Sequence, residues 1–236
     1  MSRSVLVVGQ GRAGGSFAGA LGAAGWSVEV RPGRGTDALE SSGHDLVLLC
    51  VPDGAVAEVA ARVQPGDAVV AHAAGSLGLD ALAPHGRRAV LHPLMTLPDP
   101  AIGARRLAEG VTFAVAGDPL AAEVVAALGG RAIAVADEDR AGYHAAACIA
   151  SNHLVALLGQ VERVGAVAGV PLDAYLPLVR ATLENVAALG PAGALTGPAA
   201  RGDLETLERH RAALDPGERD AYDALAAQCV RLAAGS

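Results

Sequence analysis

Lysine is missing from this 236-residue chain, and all 18 basic residues are arginine. That absence excludes Schiff-base chemistry and any lysine general acid, so a proton donor has to be another residue type. Cysteine is scarce. Cys50, Cys148 and Cys229 lie far apart and form no C-x-x-C pair, which excludes a disulfide framework and a zinc site and suits a reducing compartment. Positive charge is not in excess either. The formal net charge is −7, so no general nucleic-acid or anionic-membrane role is expected. The N-terminus enters a strand at once, and no signal peptide is expected. Residues 142–161 carry no formal charge over 20 positions, the length of a membrane span. His144, Ser151, Asn152, His153 and Gln160 interrupt that stretch. The expectation is therefore a packed helix in a cytoplasmic protein, with no membrane partner.

What is present is organised around the beginning of the chain. Residues 5–8, Val-Leu-Val-Val, read as a buried strand that runs into Gly9-x-Gly11-x-x-Gly14 and a small-residue helix over 13–24. In a dinucleotide site Gly9 allows the tight turn, Gly11 lets backbone approach a pyrophosphate, and Gly14 packs helix on strand. The free N–H groups and positive dipole end of the helix, from Arg12 and Ala13 onward, then face the phosphates. A second strand follows over 27–31. An acidic residue at its tip binds the ribose of NAD, whereas arginines accept the 2′-phosphate of NADP. Glu29 lies inside the strand, while Arg31 and Arg34 fall at and just past its tip, so NADP (NADPH) is the expected cofactor.

Further strands are expected over 45–51, 67–72, 88–92, 111–116 and 131–136, with helices over 54–63 and 120–128. This alternation predicts a doubly wound, mostly parallel sheet. Val51-Pro52-Asp53, His72-x-x-Gly75-Ser76 and His92-Pro93 all fall at carboxyl ends of strands, the edge where open α/β sheets bind ligands. For each histidine alone, a hydrogen-bonded structural role is an equal alternative.

After Ala136 the pattern becomes helical. A long helix is expected from an N-cap at Asp137 to about Ala168, followed by helices over 173–189, 203–214 and 217–234. Pro177 is a candidate kink. On the long helix His144, Cys148 and Asn152 are spaced four apart and share a face. They could line one cleft or bond helix to helix. The loop Thr196-Gly197-Pro198-Ala-Ala-Arg201-Gly202-Asp203 suits a substrate-capping role, since Arg201 can grip a carboxylate with two bonds.

Three stretches carry a family resemblance: Leu91-His-Pro-Leu-Met-Thr-Leu-Pro-Asp-Pro100, Tyr143-His-Ala-Ala-Ala-Cys-Ile-Ala-Ser-Asn-His-Leu154 and Ala194-Leu-Thr-Gly-Pro-Ala-Ala-Arg-Gly-Asp203. With them nearly the whole chain resembles Rossmann-like proteins with a C-terminal helical domain of unassigned function. These belong to the 6-phosphogluconate dehydrogenase-like superfamily, with ketopantoate reductase and pyrroline-5-carboxylate reductase. The resemblance implies NADPH-dependent reduction of a small oxo acid or imine. Ketopantoate reductases carry a lysine general acid on the first helix of the second domain, with asparagines one and two turns later. In that register His144 stands at the lysine, Cys148 at the first asparagine and Asn152 at the second.

The expected molecule is α/β. A Rossmann-type NADP-binding domain spans residues 1–136, and an all-α domain for substrate and homodimer contacts spans 137–236. The expected activity is that of an oxidoreductase acting on a small carboxylate-bearing carbonyl or imine compound. Cofactor contacts are expected from Gly9, Gly11, Arg12, Ala13, Gly14, Arg31, Arg34, Val51, Pro52 and His72. His144 and Asn152 are the expected catalytic residues, with His92, Ser76, Thr196 and Arg201 on the substrate. A non-catalytic NADP-binding sensor is the alternative that the departures at the lysine and first-asparagine positions leave open.

Overall fold

The computed structural model describes residues 2–235. Its strands are β1 Ser4–Val8, β2 Ser27–Arg31, β3 Leu46–Leu49, β4 Val69–His72, β5 Arg88–Pro93, β6 Thr112–Gly117 and β7 Arg131–Ala134. They form one sheet in the order β2-β1-β3-β4-β5-β6-β7. Every neighbouring pair is parallel except β5 with β6. The chain leaves β1 for β2 on one side and then crosses to β3 on the other. This puts the topological switch at the carboxyl ends of β1 and β3.

Four helices cover the sheet: α1 Arg12–Ala23, α2 Val56–Arg62, α3 Pro100–Leu107 and α4 Leu120–Ala127. A parallel strand covered on both faces reads as a continuous apolar run, and β1 does from Val5 to Val8. Val5 and Val7 pack with Phe17 and Leu21 of α1, Leu107 of α3 and Val124 of α4. Leu6 and Val8 pack on the opposite face with Val56 and Val59 of α2.

Sequence reasoning placed the strands and missed α3. The signal for it was present: the Asp99 carboxylate accepts the N–H groups of Ala101 and Ile102 at 2.9 Å, and Pro100 opens the helix. Proline at the first helical position gives up no hydrogen bond. Glycines then let α3 settle on α1, Gly15 lying against Pro100 and Gly103 against Ser16.

The helix expected from Asp137 to Ala168 is interrupted. A 3-10 turn Asp137–Asp139 leads into α5 Arg140–Cys148, a π turn Ile149–His153 and α6 Leu154–Val167. Asp137 does not cap it. Its carboxylate instead accepts the Leu79 N–H at 3.0 Å and the Arg140 Nε at 3.1 Å. The chain ends with α7 Leu172–Ala194, α8 Leu204–Ala213 and α9 Pro216–Ala234. α7 is broken at Gly190, where φ is 72°, a left-handed conformation open to glycine; Pro177 leaves it helical. The expected cap of α8 is present, with Asp203 accepting the Thr206 N–H at 3.0 Å.

Two compact units result, Met1–Ser151 and Asn152–Ser236. Tyr143 and His144 therefore belong to the sheet unit. Among the described residues no helix is long and apolar enough to cross a membrane.

Candidate functional site

The glycine loop sits at the switch point, and its geometry follows from close backbone contacts. Gly9 has φ 126°, and a Cβ there would collide with the Cys50 carbonyl. A Cβ on Gly14 would land on the Gly9 carbonyl, while one on Gly11 would meet no atom within 4 Å. Two glycines thus serve the fold and the third faces open space. Gly11 is the N-cap of α1 and supplies no side-chain cap, and the first turn of α1 holds no acidic residue. The orphan N–H groups of that turn carry the positive end of the helix dipole. This cradle fits a phosphate group, with Ala13 half-buried in it and the exposed Arg12 at its rim.

The tip of β2 closes against this loop. Gly9 donates its N–H to the Arg31 carbonyl at 2.8 Å, and Gly33 packs on Val51 and on the Gly9 Cα. Pro52 is exposed next to Val51. The side chains of the two arginines differ. Arg31 Nε contacts Glu29 Oε1 at 2.6 Å, whereas Arg34 makes no ion pair among the described residues. Both lie on the wall of a cleft of about 340 Å³ beside β2.

Histidines gather at the carboxyl ends of β4 and β5. His72 is fully buried, and its Nε2 donates to the Gly78 carbonyl at 3.1 Å. A carbonyl only accepts, so Nε2 of His72 carries a ring proton. Burial first, then the Arg140 charge, lowers its pKa. His92 shares a 2.8 Å hydrogen bond between its Nδ1 and the Tyr143 hydroxyl. Its pKa is pushed down to about 4 by burial, and further by His144 and Arg140. The rings of His92 and His144 stand edge to face, 5.7 Å apart. Both converge on Gly75, where a Cβ would sit 2.5 Å from His144 Cδ2 and 2.8 Å from His92 Nε2. Only glycine leaves room for the two rings. His144 is half-buried and makes no hydrogen bond among the described residues, so its ring nitrogens stay available.

Behind this cluster lies Arg140, fully buried, donating to Asp137 at 3.1 Å and to the Val135 carbonyl at 3.1 Å. Its third nitrogen meets no acceptor among the described residues. Ser76, exposed beside Gly75, donates to Asp53 at 2.7 Å. The structure therefore brings His92, His144 and Gly75 together, with Ser76 adjoining them in sequence. Sequence reasoning passed over Arg140 and gave Tyr143 and Gly75, both within motifs it singled out, no role of their own. Tyr143 is one residue from His144, but only the position of β5 reveals that it reaches His92.

The remaining expected residues belong to the helical unit. Asn152 is exposed in the π turn, Thr196 is exposed in the loop after α7, and Arg201 ends the short turn Ala199–Arg201.

Fold and glycine loop together define a class: a Rossmann-type α/β unit followed by an all-helical C-terminal part. Residues 110–229 match the family model described as a domain of unknown function, DUF2520, and the chain belongs to that family. Among solved structures it is similar to protein TM1727 of Thermotoga maritima, with 24% identity, a TM-score of 0.75 and 98% of each chain covered. It is likewise similar to BF3122 of Bacteroides fragilis, a candidate NADP oxidoreductase, with 22% identity, a TM-score of 0.77 and 98% of each chain covered. A third is the 1-pyrroline-5-carboxylate reductase of Streptococcus pyogenes, with 16% identity, a TM-score of 0.67, and 98% of this chain and 99% of that one covered. No curated protein matches the sequence.

Proposed function

We propose that the protein is an NADP-dependent oxidoreductase that reduces a small carboxylate-bearing carbonyl or imine compound. The observation that carries this reading is the convergence of His92 and His144 on Gly75, at the same sheet edge as the glycine loop. Folds shared with an NADP oxidoreductase and a pyrroline-carboxylate reductase support it.

When bound, NADPH supplies a hydride to the carbonyl or imine carbon. The chain's task is to hold the phosphates, exclude water and deliver one proton. The α1 N-terminus, Gly9, Gly11, Arg12, Ala13 and Gly14 hold the pyrophosphate. Val51 and Pro52 would help to hold it, and Arg31 and Arg34 would take the 2′-phosphate. His72 would serve the cofactor by holding the loop at Gly78 in place. His144 gives its ring proton to the substrate oxygen or nitrogen as the carbon gains the hydride, leaving an alcohol or amine. Histidine is suited to this near neutral pH. His92, kept neutral, does not compete as the proton source; it fixes the Tyr143 hydroxyl at the site. Ser76, Asn152 and Thr196 bind the substrate, and Arg201 grips its carboxylate. In this division of labour residues 1–136 hold the cofactor and lend Ser76 to the substrate, and 137–236 serve the substrate and self-association, in a cytoplasmic homodimer.

The test is a screen of small 2-oxo acids and cyclic imines followed by loss of NADPH absorbance. On any substrate found, His144→Ala should lower kcat by about 10²–10⁴-fold, the usual range for a positioned acid, with NADPH affinity unchanged. Turnover that survives this change would remove His144 from its role. Tight NADPH binding with no compound reduced would favour a sensor.

A further inference from the structure

We propose that Arg62, on α2, is a positioning residue that sets the preference for a 2′-phosphorylated dinucleotide by bracing the loop that carries Arg34. This rests on the NADP reading above. Doubly wound folds ordinarily carry a crossover helix between consecutive parallel strands. Here the crossover from β2 to β3, residues 32–45, contains no helix. A loop of this length without internal structure needs anchoring from elsewhere.

Arg62 supplies that anchor. Its Nη1 donates to the Gly33 carbonyl at 2.9 Å and its Nε to the Asp37 carbonyl at 3.0 Å. One guanidinium thus bridges two backbone positions on either side of Arg34. The main chain continues the tie: Leu39 donates to the Arg62 carbonyl and Gln64 to the Leu39 carbonyl, each at 2.9 Å. At the near end, Gly33 is wedged against Val51 and the glycine loop.

Arg62 matters for selectivity because of how charge is shared in the cleft. Three arginines and three carboxylates (Glu29, Asp37 and Glu40) line it. Net charge therefore does not favour an anion. Arg31 is engaged by Glu29, and Arg62 spends two nitrogens on carbonyls. Among the described residues Arg34 is the arginine of the cleft that makes neither an ion pair nor a side-chain hydrogen bond, and where it stands depends on the loop. A loop held in its bound form does not lose that ordering entropy again on binding. The planar fork of arginine makes this bridge, and the single ammonium of lysine does not.

Calorimetry on the full chain with NADPH and with NADH tests the proposal, using Arg34→Ala, Arg62→Ala, Arg62→Lys and the double alanine variant. Arg62→Ala is expected to weaken NADPH about 5–10-fold while changing NADH less than about twofold. The double variant should bind NADPH no worse than Arg34→Ala alone, since residues that act through one another are not additive. Arg62→Lys should resemble Arg62→Ala and carries the same test if the alanine variant does not fold. Equal weakening of both cofactors would mean that Arg62 only stabilises the fold, and additive losses would mean that it acts independently of Arg34. Either result overturns the proposal. A wild-type protein with no preference between the cofactors would instead overturn the NADP reading, and this proposal with it.

Discussion

The two units of this molecule are held together in different ways. In the sheet unit strands are buried on both faces, and Phe17, Phe113, Leu21 and Leu48 have no exposed surface. In the helical unit Gly165 is the one buried residue among those described. Leu178, Leu189 and Leu204 are 65%, 64% and 63% exposed. Its helices are joined by polar ties at the surface: Arg163 to Glu218, Arg211 to Asp223 and His210 to Tyr222. Exposed ion pairs contribute about 0–1 kcal/mol each, too little to replace a core. Exposed apolar surface on that scale marks an interaction site. The sheet unit has a buried core of its own, the helices leave apolar surface uncovered, and a second copy of the chain is the cover we propose.

The largest test of this contrast is in the two kinds of apolar residue. Phe113→Ala should lower the unfolding free energy by about 3–5 kcal/mol, as loss of a buried aromatic does. Leu178→Glu, measured in solution dilute enough to hold monomer, should change it by less than about 0.5 kcal/mol. Similar losses in denaturant titrations would dissolve the comparison. In concentrated solution the ranking should reverse for assembly. Light scattering should give a dimer mass for the wild type and a lower mass for Leu178→Glu with Leu189→Glu. A wild-type monomer at micromolar concentration would count against the dimer.

The same contrast explains what the sequence disclosed. Strands of the sheet unit are short apolar runs punctuated by glycine and proline, so all seven could be placed from pattern alone. The glycine loop was legible because Gly9 and Gly14 answer local backbone demands and Gly11 leaves the cradle open. α3 was hidden because the motif of residues 91–100 reads as loop, although Asp99-Pro100 is a helix start. The π turn at Ile149–His153 leaves no mark on an alanine-rich helix, where four-residue spacing continues across it. The site was half legible. Histidines at strand ends could be placed at one edge, but their meeting at Gly75 depends on how the start of α5 packs on the sheet. Pairing of Arg31 with Glu29 follows from β2 alternation, which puts residues two apart on one face.

Acid should expose the sheet unit's dependence on buried histidines. His92 titrates near 4 in the folded chain against an ordinary 6.5, so between those values the unfolded chain binds the proton and the folded chain does not. Stability from this group is complete above pH 6.5, declines as pH falls toward 4, and changes no further below. The loss amounts to at most about 3 kcal/mol. His72, also lowered, adds in the same direction. The lowered carboxyls Asp45 and Asp118 act below their ordinary 3.8, outside this window. Exposed His153 and His210 of the helical unit lack this burial. Unfolding measured from pH 7 to pH 4 should show the decline, and His92→Asn should flatten it. An unchanged slope in that variant would assign the effect elsewhere.

The smallest effect is the finest, since it separates two arginines three residues apart at one cleft. NADPH should bind at least about tenfold tighter than NADH, a difference of roughly 1.4 kcal/mol. Arg34 has no ion pair among the described residues, whereas Arg31 holds Glu29 at 2.6 Å, with both groups largely exposed. Such a pair opens at a cost of about 1 kcal/mol or less, so Arg31 can still turn to a phosphate, at reduced gain. Arg34→Ala should therefore remove most of the preference and Arg31→Ala less than half of it. The two changes together should abolish it without unfolding the protein. Glu29→Gln frees Arg31 and removes a negative charge near the ribose, so it should widen the NADPH advantage by about two- to threefold. Calorimetric titration of these variants with both cofactors checks the ranking. If Arg31→Ala cost more than Arg34→Ala, the ion pair would be orienting Arg31 toward the phosphate and not withholding it.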